Sequence, residues 1–146
     1  MLFSDVIGNF EAKNSLLKAI DQKRISHSML FFGVIGSGPL ALAIAFARLV
    51  LCQDKPETSS CHIKASKFQH PDLHFIYPIA QTQNVKGKVI SESFISEWRS
   101  FLSEKPYGNL LEWYEKIGIE NKQGKIGKDE ASEIIKKINL KKIIFT

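Results

Sequence analysis

The feature that most constrains this chain is the apolar run Met29-Leu30-Phe31-Phe32, followed at once by Gly33-Val-Ile-Gly36-Ser37-Gly38 and then Pro39. A four-residue run with an aromatic pair has the length and composition of a buried strand. Gly38 suits the backbone of a tight turn, and Pro39 is well placed as the first residue of a helix. The residues that follow, LALAIAFARLVL, carry Arg48 as their one charge. A helix so apolar on nearly every side is expected to be buried. Strand, glycine loop and buried helix make the opening of an α/β unit, with helices covering a parallel sheet.

The loop invites comparison with the phosphate-binding form G-x-x-x-x-G-K-[ST]. Gly33 and Gly38 have the required spacing, Gly36 is an extra glycine, and Pro39 and Leu40 stand where Lys and Ser or Thr belong. In a working loop the lysine charge lies over the β and γ phosphates and the hydroxyl holds magnesium. Proline brings neither the charge nor an N–H, and leucine cannot hold a metal. Gly33, Gly36, Ser37, Gly38, Pro39 and Leu40 are therefore the candidate cofactor-binding set, expected to be a degenerate and inactive phosphate loop. Three close glycines before a helix also make an ordinary strand–helix turn, and the segment alone leaves both open. No hydrolase triad, paired-carboxylate set or H-E-x-x-H helix is present. No catalytic residue is assigned, and no catalytic activity is expected of this chain.

Composition narrows the class further. With 146 residues, 44% hydrophobic and 24% charged, the chain is expected to be globular rather than disordered. No apolar run approaches the roughly 20 residues of a membrane helix, and MLFSDVIGNFEAK lacks the pattern of a signal peptide. Two cysteines fit a reducing compartment, so a cytoplasmic location and no membrane contact are expected. The formal charge of +5 is concentrated late: residues 122–142 hold seven Lys against Asp129, Glu130 and Glu133, a net of +4. Such a segment can attract a polyanion or be a solvated helix face.

Asn9 can cap a first helix running to Asp21, with Ala12, Leu16, Leu17 and Ile20 on one stripe. Residues 53–69 are polar, a loop or small appended module. His70-Pro71-Asp72 leads into a second strand over residues 73–77, stopped by Pro78. Residues 80–89 read as an exposed loop. A helix then places Phe94, Ile95, Trp98, Phe101 and Leu102 on one face. Lys105-Pro106-Tyr107-Gly108 breaks it, and Asn109 with Glu112 forms a capping box for a helix with Leu110, Tyr114 and Ile117 inward. The last helix, residues 128–138, spaces Ala131, Ile134, Ile135 and Ile138 along one face. Ile143-Ile144-Phe145 begins a further strand, expected beside residues 29–32. His27, just before the first apolar run, reads as a capping or core residue rather than a catalytic one.

Taken as an ordered set, Phe3-Ser-Asp-Val-Ile-Gly8, Arg24-Ile-Ser-His27-Ser-Met-Leu-Phe-Phe-Gly33, the glycine loop, His70-Pro-Asp72, Trp98-Arg99, Pro106-Tyr107-Gly108, Trp113-Tyr114 and Ile119-Glu-Asn-Lys-Gln-Gly-Lys-Ile126 resemble the delta-prime subunits of the bacterial DNA polymerase III clamp loader. Behind them stand the gamma/tau subunits and the wider AAA+ class. The resemblance implies a partial P-loop NTPase (AAA+) three-layer core with a central parallel sheet, truncated before the acidic Walker B strand. Residues 1–146 would be the N-terminal portion of a AAA+ base domain, with the later lid and collar domains absent. It also implies a non-hydrolysing subunit that helps load the sliding clamp onto primer-template DNA, with gamma/tau and delta as partners and no cofactor. Two other functions stay in view: an ATP-binding AAA+ protein with an atypical P-loop, and a small basic nucleic-acid-binding module.

Many relatives carry four cysteines for zinc between the loop helix and the second strand. Cys52 and Cys61 keep the first spacing of that pattern, while Lys64 and Lys67 occupy its third and fourth positions. Two cationic side chains cannot complete a tetrahedral thiolate site. Residues 53–69 are therefore expected to be a degenerate zinc-module-like insertion without metal, with Cys52 buried at a helix end and Cys61 free in a loop.

Overall fold

The computed structural model describes residues 1–82, 89–119, 122–138 and 143–145. Two compact units divide the chain, Met1–Lys67 and Phe68–Thr146.

The first unit holds α1 (Phe10–Asp21), α2 (Pro39–Leu51) and α3 (Ser60–Ser66). The apolar composition of α2 has the expected result: every residue from Ala41 to Ala47 is buried. Leu42, Ala45 and Phe46 of α2 pack with Leu16 and Ile20 of α1 and with Val6, and Phe31 lies against Phe46 with ring centroids 6.3 Å apart. The inner stripe of α1 is narrower than its spacing suggests, since Leu17 and Ala12 are exposed. Asn9 occupies the N-cap position but makes no capping bond there; its side-chain amide donates instead to Ser37 O at 2.9 Å.

The second unit holds β1 (Leu73–Phe75), a short 3-10 turn (Ser91–Phe94), α4 (Ile95–Glu104), α5 (Leu110–Ile117), α6 (Lys128–Ile138) and β2 (Ile143–Phe145). Its core is aromatic. Tyr77 stacks on Trp98 at 4.2 Å and 18°, and Trp113 meets both edge-on at 5.0 and 4.9 Å. Phe75 and Phe101 extend the cluster. Such pairs add stabilisation beyond the area they bury. Beside it lies a buried polar knot: Ser91 N–H donates to Glu130 Oε2 at 2.6 Å, and Tyr77 Oη–H donates to Ser91 O at 2.6 Å. Burial, with Glu92, Glu130 and Glu97 nearby, pushes the Tyr77 phenol far up, so it remains a donor.

The expected AAA+ core is not what the chain forms. Helices dominate the described residues, and their one ladder is a two-stranded parallel pair, β1 with β2, in the register Leu73↔Ile143, His74↔Ile144 and Phe75↔Phe145. Residues 29–32, expected as the strand beside Ile143-Ile144-Phe145, form no strand. Their main-chain groups make no hydrogen bond among the described residues, and Leu30 and Phe32 are 84% and 83% exposed. A buried parallel strand needs a ladder on its edges and cover on its faces; this run has no ladder, and of its side chains only Phe31 is packed against the core.

Two inner faces also differ from expectation. In α5 the buried residues are Trp113 and Ile117, while Leu110 is exposed. In α6 Ala131 and Ile135 face solvent, Ile134 is half-buried, and the inward residue is Glu130. The Ile138 side chain lies outside what is described, as does most of the expected 80–89 loop, residues 83–88.

The Asn109–Glu112 capping box forms as expected. Asn109 Oδ1 accepts from the N–H groups of Leu111 and Glu112, and Glu112 Oε2 accepts from Asn109 N–H at 2.9 Å. Lys105 Nζ, 2.7 Å from Glu112 Oε1, holds that carboxyl below the usual carboxylate range, and the Asn109 N–H adds to the effect. A depressed carboxyl contributes stability above its unfolded pKa, about 4.3, which is lost as pH falls through the folded value. Amide exchange at the start of α5 is therefore expected to accelerate, relative to the intrinsic rate, as pH drops below about 4. Glu112→Gln should flatten that acid dependence; an unchanged profile in the variant would refute the assignment.

Candidate functional site

The glycine loop takes up the local geometry its residues favour. Gly36 and Gly38 sit at φ 83° and 80°, where a side chain would be strained. Ser37 closes a turn on Val34 O through both its N–H, at 3.0 Å, and its hydroxyl, at 2.8 Å. A Cβ on Gly33 would come within 2.5 Å of that hydroxyl oxygen, so a side chain there would displace the Ser37 hydroxyl from its bond to Val34 O. Gly38 is the N-cap of α2, Pro39 opens it, and no side chain caps it.

Of the six candidate residues, Gly33 and Gly36 are exposed, Ser37, Pro39 and Leu40 are half-buried, and Gly38 is buried. They form one continuous loop but not the strand–loop–helix of a P-loop, because no strand leads into Gly33. Phosphate-loop and Walker A assignments are thereby corrected.

Ser37 and Pro39 help line an open cleft of about 280 Å³ with Asn9, Leu16, Met29 and Phe31. No titratable side chain is among its lining residues. The nearby cation Lys13 donates to Val6 O and lies 6.0 Å from the Phe10 ring centroid. Pro39 gives α2 no N–H at its first position. The cleft can therefore receive an apolar group, with Asn9, Ser15 and Ser37 for polar contact, and offers no charge to a triphosphate.

Cys52 is buried at the end of α2, as expected. Cys61 is not free in a loop: it lies in α3 and forms a disulfide with Cys52. The pairing was not read from the sequence, whose spacing suggested only a lost metal site. His62 on α3 was also missed as a structural residue. It is buried, with Arg48 Nε–H donating to its Nδ1 at 3.3 Å and its Nε2 3.2 Å from Lys55 O. His27, expected as a cap or core residue, is exposed.

The basic segment is partly described. Lys122 donates to Gln81 O at 2.8 Å, Lys136 pairs with Glu133 at 3.0 Å, and Lys125 and Lys128 are exposed. Two of these four lysines are thus engaged locally. No helix among the described residues is long and apolar enough to cross a membrane.

Comparison with known proteins gives one family. The family model described as DNA polymerase III, delta subunit, matches residues 8–144. The chain is also similar to DNA polymerase III subunit tau of Bacillus subtilis (strain 168), 37% identical over 60 residues. That match covers 41% of this chain and 11% of the tau subunit. No solved structure matches the chain.

Proposed function

The chain belongs to the DNA polymerase III delta-subunit family, and on that premise we propose that it is a non-hydrolysing structural subunit of the clamp loader, helping to load the sliding clamp onto primer-template DNA during replication. The observation that carries this reading is the family match across residues 8–144. Similarity to a tau subunit supports the same assembly. Its partners on this reading are gamma/tau and delta within the complex, with the clamp and DNA reached through it, in the cytoplasm. The non-hydrolysing part rests on Pro39, Leu40 and a cleft without a titratable lining residue. Such a subunit acts by presenting a surface to neighbours that do bind nucleotide.

The test is reconstitution with the tau and delta subunits of the same organism, alongside calorimetry with magnesium and ATP. Co-elution as a stoichiometric complex is expected, with no nucleotide binding by this chain tighter than roughly millimolar. Failure to associate with either subunit would overturn the structural role. Magnesium-dependent binding at micromolar concentration would overturn the non-hydrolysing one.

A further inference from the structure

We propose that Cys52 and Cys61 form a reversible dithiol–disulfide couple that fastens α3 to the end of α2 when oxidised and loosens it when reduced. The proposal does not depend on the clamp-loader reading. It rests on what joins α3 to the end of α2. The apolar cluster at this junction is Cys52, Cys61 and Ala65 with Leu51 against them. It is separate from the α1–α2 core of Val6, Leu16, Ile20, Leu42, Ala45 and Phe46. Beyond the disulfide, Arg48 of α2 donates to His62 of α3, while the His62–Lys55 O contact and the Ser59 cap are local to α3 and the loop before it. A seven-residue helix does not persist on its own propensity, so it depends on its attachment to α2, of which the disulfide is the covalent part.

Residues 53–58, between the two cysteines, are all exposed, and of the two buried cysteines Cys61 is the more exposed, at 7% against 1%. A thiolate of a small dithiol attacks Cys61 Sγ, forming a mixed disulfide and expelling Cys52 as a thiolate that takes up a proton. The second thiol of the reductant, deprotonated, then attacks its own sulfur in the mixed disulfide. Cys61 leaves and is protonated, while the reductant becomes a cyclic disulfide. Two electrons and two protons pass to the protein. The Cys61 thiol then has an acceptor at hand, since its sulfur lies 3.6 Å from Leu51 O.

The experiment is amide exchange on the full chain, oxidised and after treatment with dithiothreitol, with alkylation to count thiols. Reduction is expected to speed exchange at residues 62–66 on the order of tenfold or more, from the constraint lost with a short closed loop. Residues 42–47 should keep their protection, and re-oxidation should restore α3. Cys52→Ser with Cys61→Ser should match the reduced form in either buffer. Cys61→Ala alone serves if the double variant does not fold. Equal exchange of α3 in both states would overturn the proposal. So would loss of protection across α2 along with α3, or two thiols that form no disulfide under an oxidant.

Discussion

Trp113→Ala is expected to destabilise the second unit by about 3–5 kcal/mol, the cost of removing a large aromatic side chain from a core that cannot close over the gap. Trp113 is 1% exposed. Its ring meets Tyr77 and Trp98 edge-on and lies 5.7 Å from Phe101. Its indole N–H donates to Pro78 O at 2.9 Å, a bond whose loss leaves a half-buried carbonyl without that donor. Collapse into the space is resisted because the surrounding rings are themselves held: Tyr77 by its hydroxyl on Ser91 O, Trp98 by stacking on Tyr77 and Phe101. Both tryptophans of the chain are in this unit, so Trp98 fluorescence remains as a probe in the variant. Urea unfolding followed at that signal is the measurement. Trp113→Phe keeps most of the ring volume and loses the N–H, so a cost of about 1–2 kcal/mol is expected. A loss below about 1.5 kcal/mol for Trp113→Ala would mean that the cluster can repack.

The neighbouring exposed position supplies the contrast. Leu110 begins the same helix and is 49% exposed, and Leu110→Ala should cost well under 1 kcal/mol. Helical spacing alone favoured Leu110, Tyr114 and Ile117 as the inner face. Trp113 is instead buried against Tyr77 and Trp98 and bonded across 35 positions to Pro78, contacts that no local pattern contains.

The legible parts of the sequence are those decided within a turn or two. Gly38 and Pro39 mark the start of α2, its composition dictates burial, and Asn109 with Glu112 marks the start of α5. The strand character of Ile143-Ile144-Phe145 was legible too, but not its neighbour: β1 takes the place given to residues 29–32. A run such as Met29-Leu30-Phe31-Phe32 has the same local preferences whether or not a ladder exists to receive it, so its pairing could not be read from it. The α/β sheet inferred through that run, and the AAA+ core that the resemblance implied, fell with it. The loop residues kept their individual geometry and lost the strand that would have made them a phosphate loop. Cys52 and Cys61 were read as remnants of a four-ligand pattern because Lys64 and Lys67 are visible in sequence, whereas the fold of α3 back onto α2 is not.

Glu130 is the clearest case of a residue whose role only three-dimensional contact reveals, and its replacement carries the second large expectation. In the sequence it entered only as one of three acids within the basic segment 122–142. In the structure it is 4% exposed and accepts the Ser91 N–H from 39 positions away. Ser91 in turn receives the Tyr77 hydroxyl at its carbonyl and the Tyr77 N–H at its own hydroxyl, at 3.2 Å. Glu130→Ala would leave a buried main-chain donor without its acceptor and remove a charge-assisted bond, at a cost of about 2–3 kcal/mol. Glu130→Gln retains an acceptor oxygen of nearly the same shape, so about half of that loss is expected. Asp129→Ala, one position earlier and exposed, removes a favourable charge at the helix start and should cost below about 1 kcal/mol. Urea unfolding read by tryptophan fluorescence orders the three. Equal losses for Glu130→Ala and Asp129→Ala would show that the bond to Ser91 contributes nothing beyond helix electrostatics. The expected ordering instead makes the Ser91–Glu130 contact the polar counterpart of the aromatic cluster, fixing which face of α6 turns inward even though its apolar residues Ala131 and Ile135 point out.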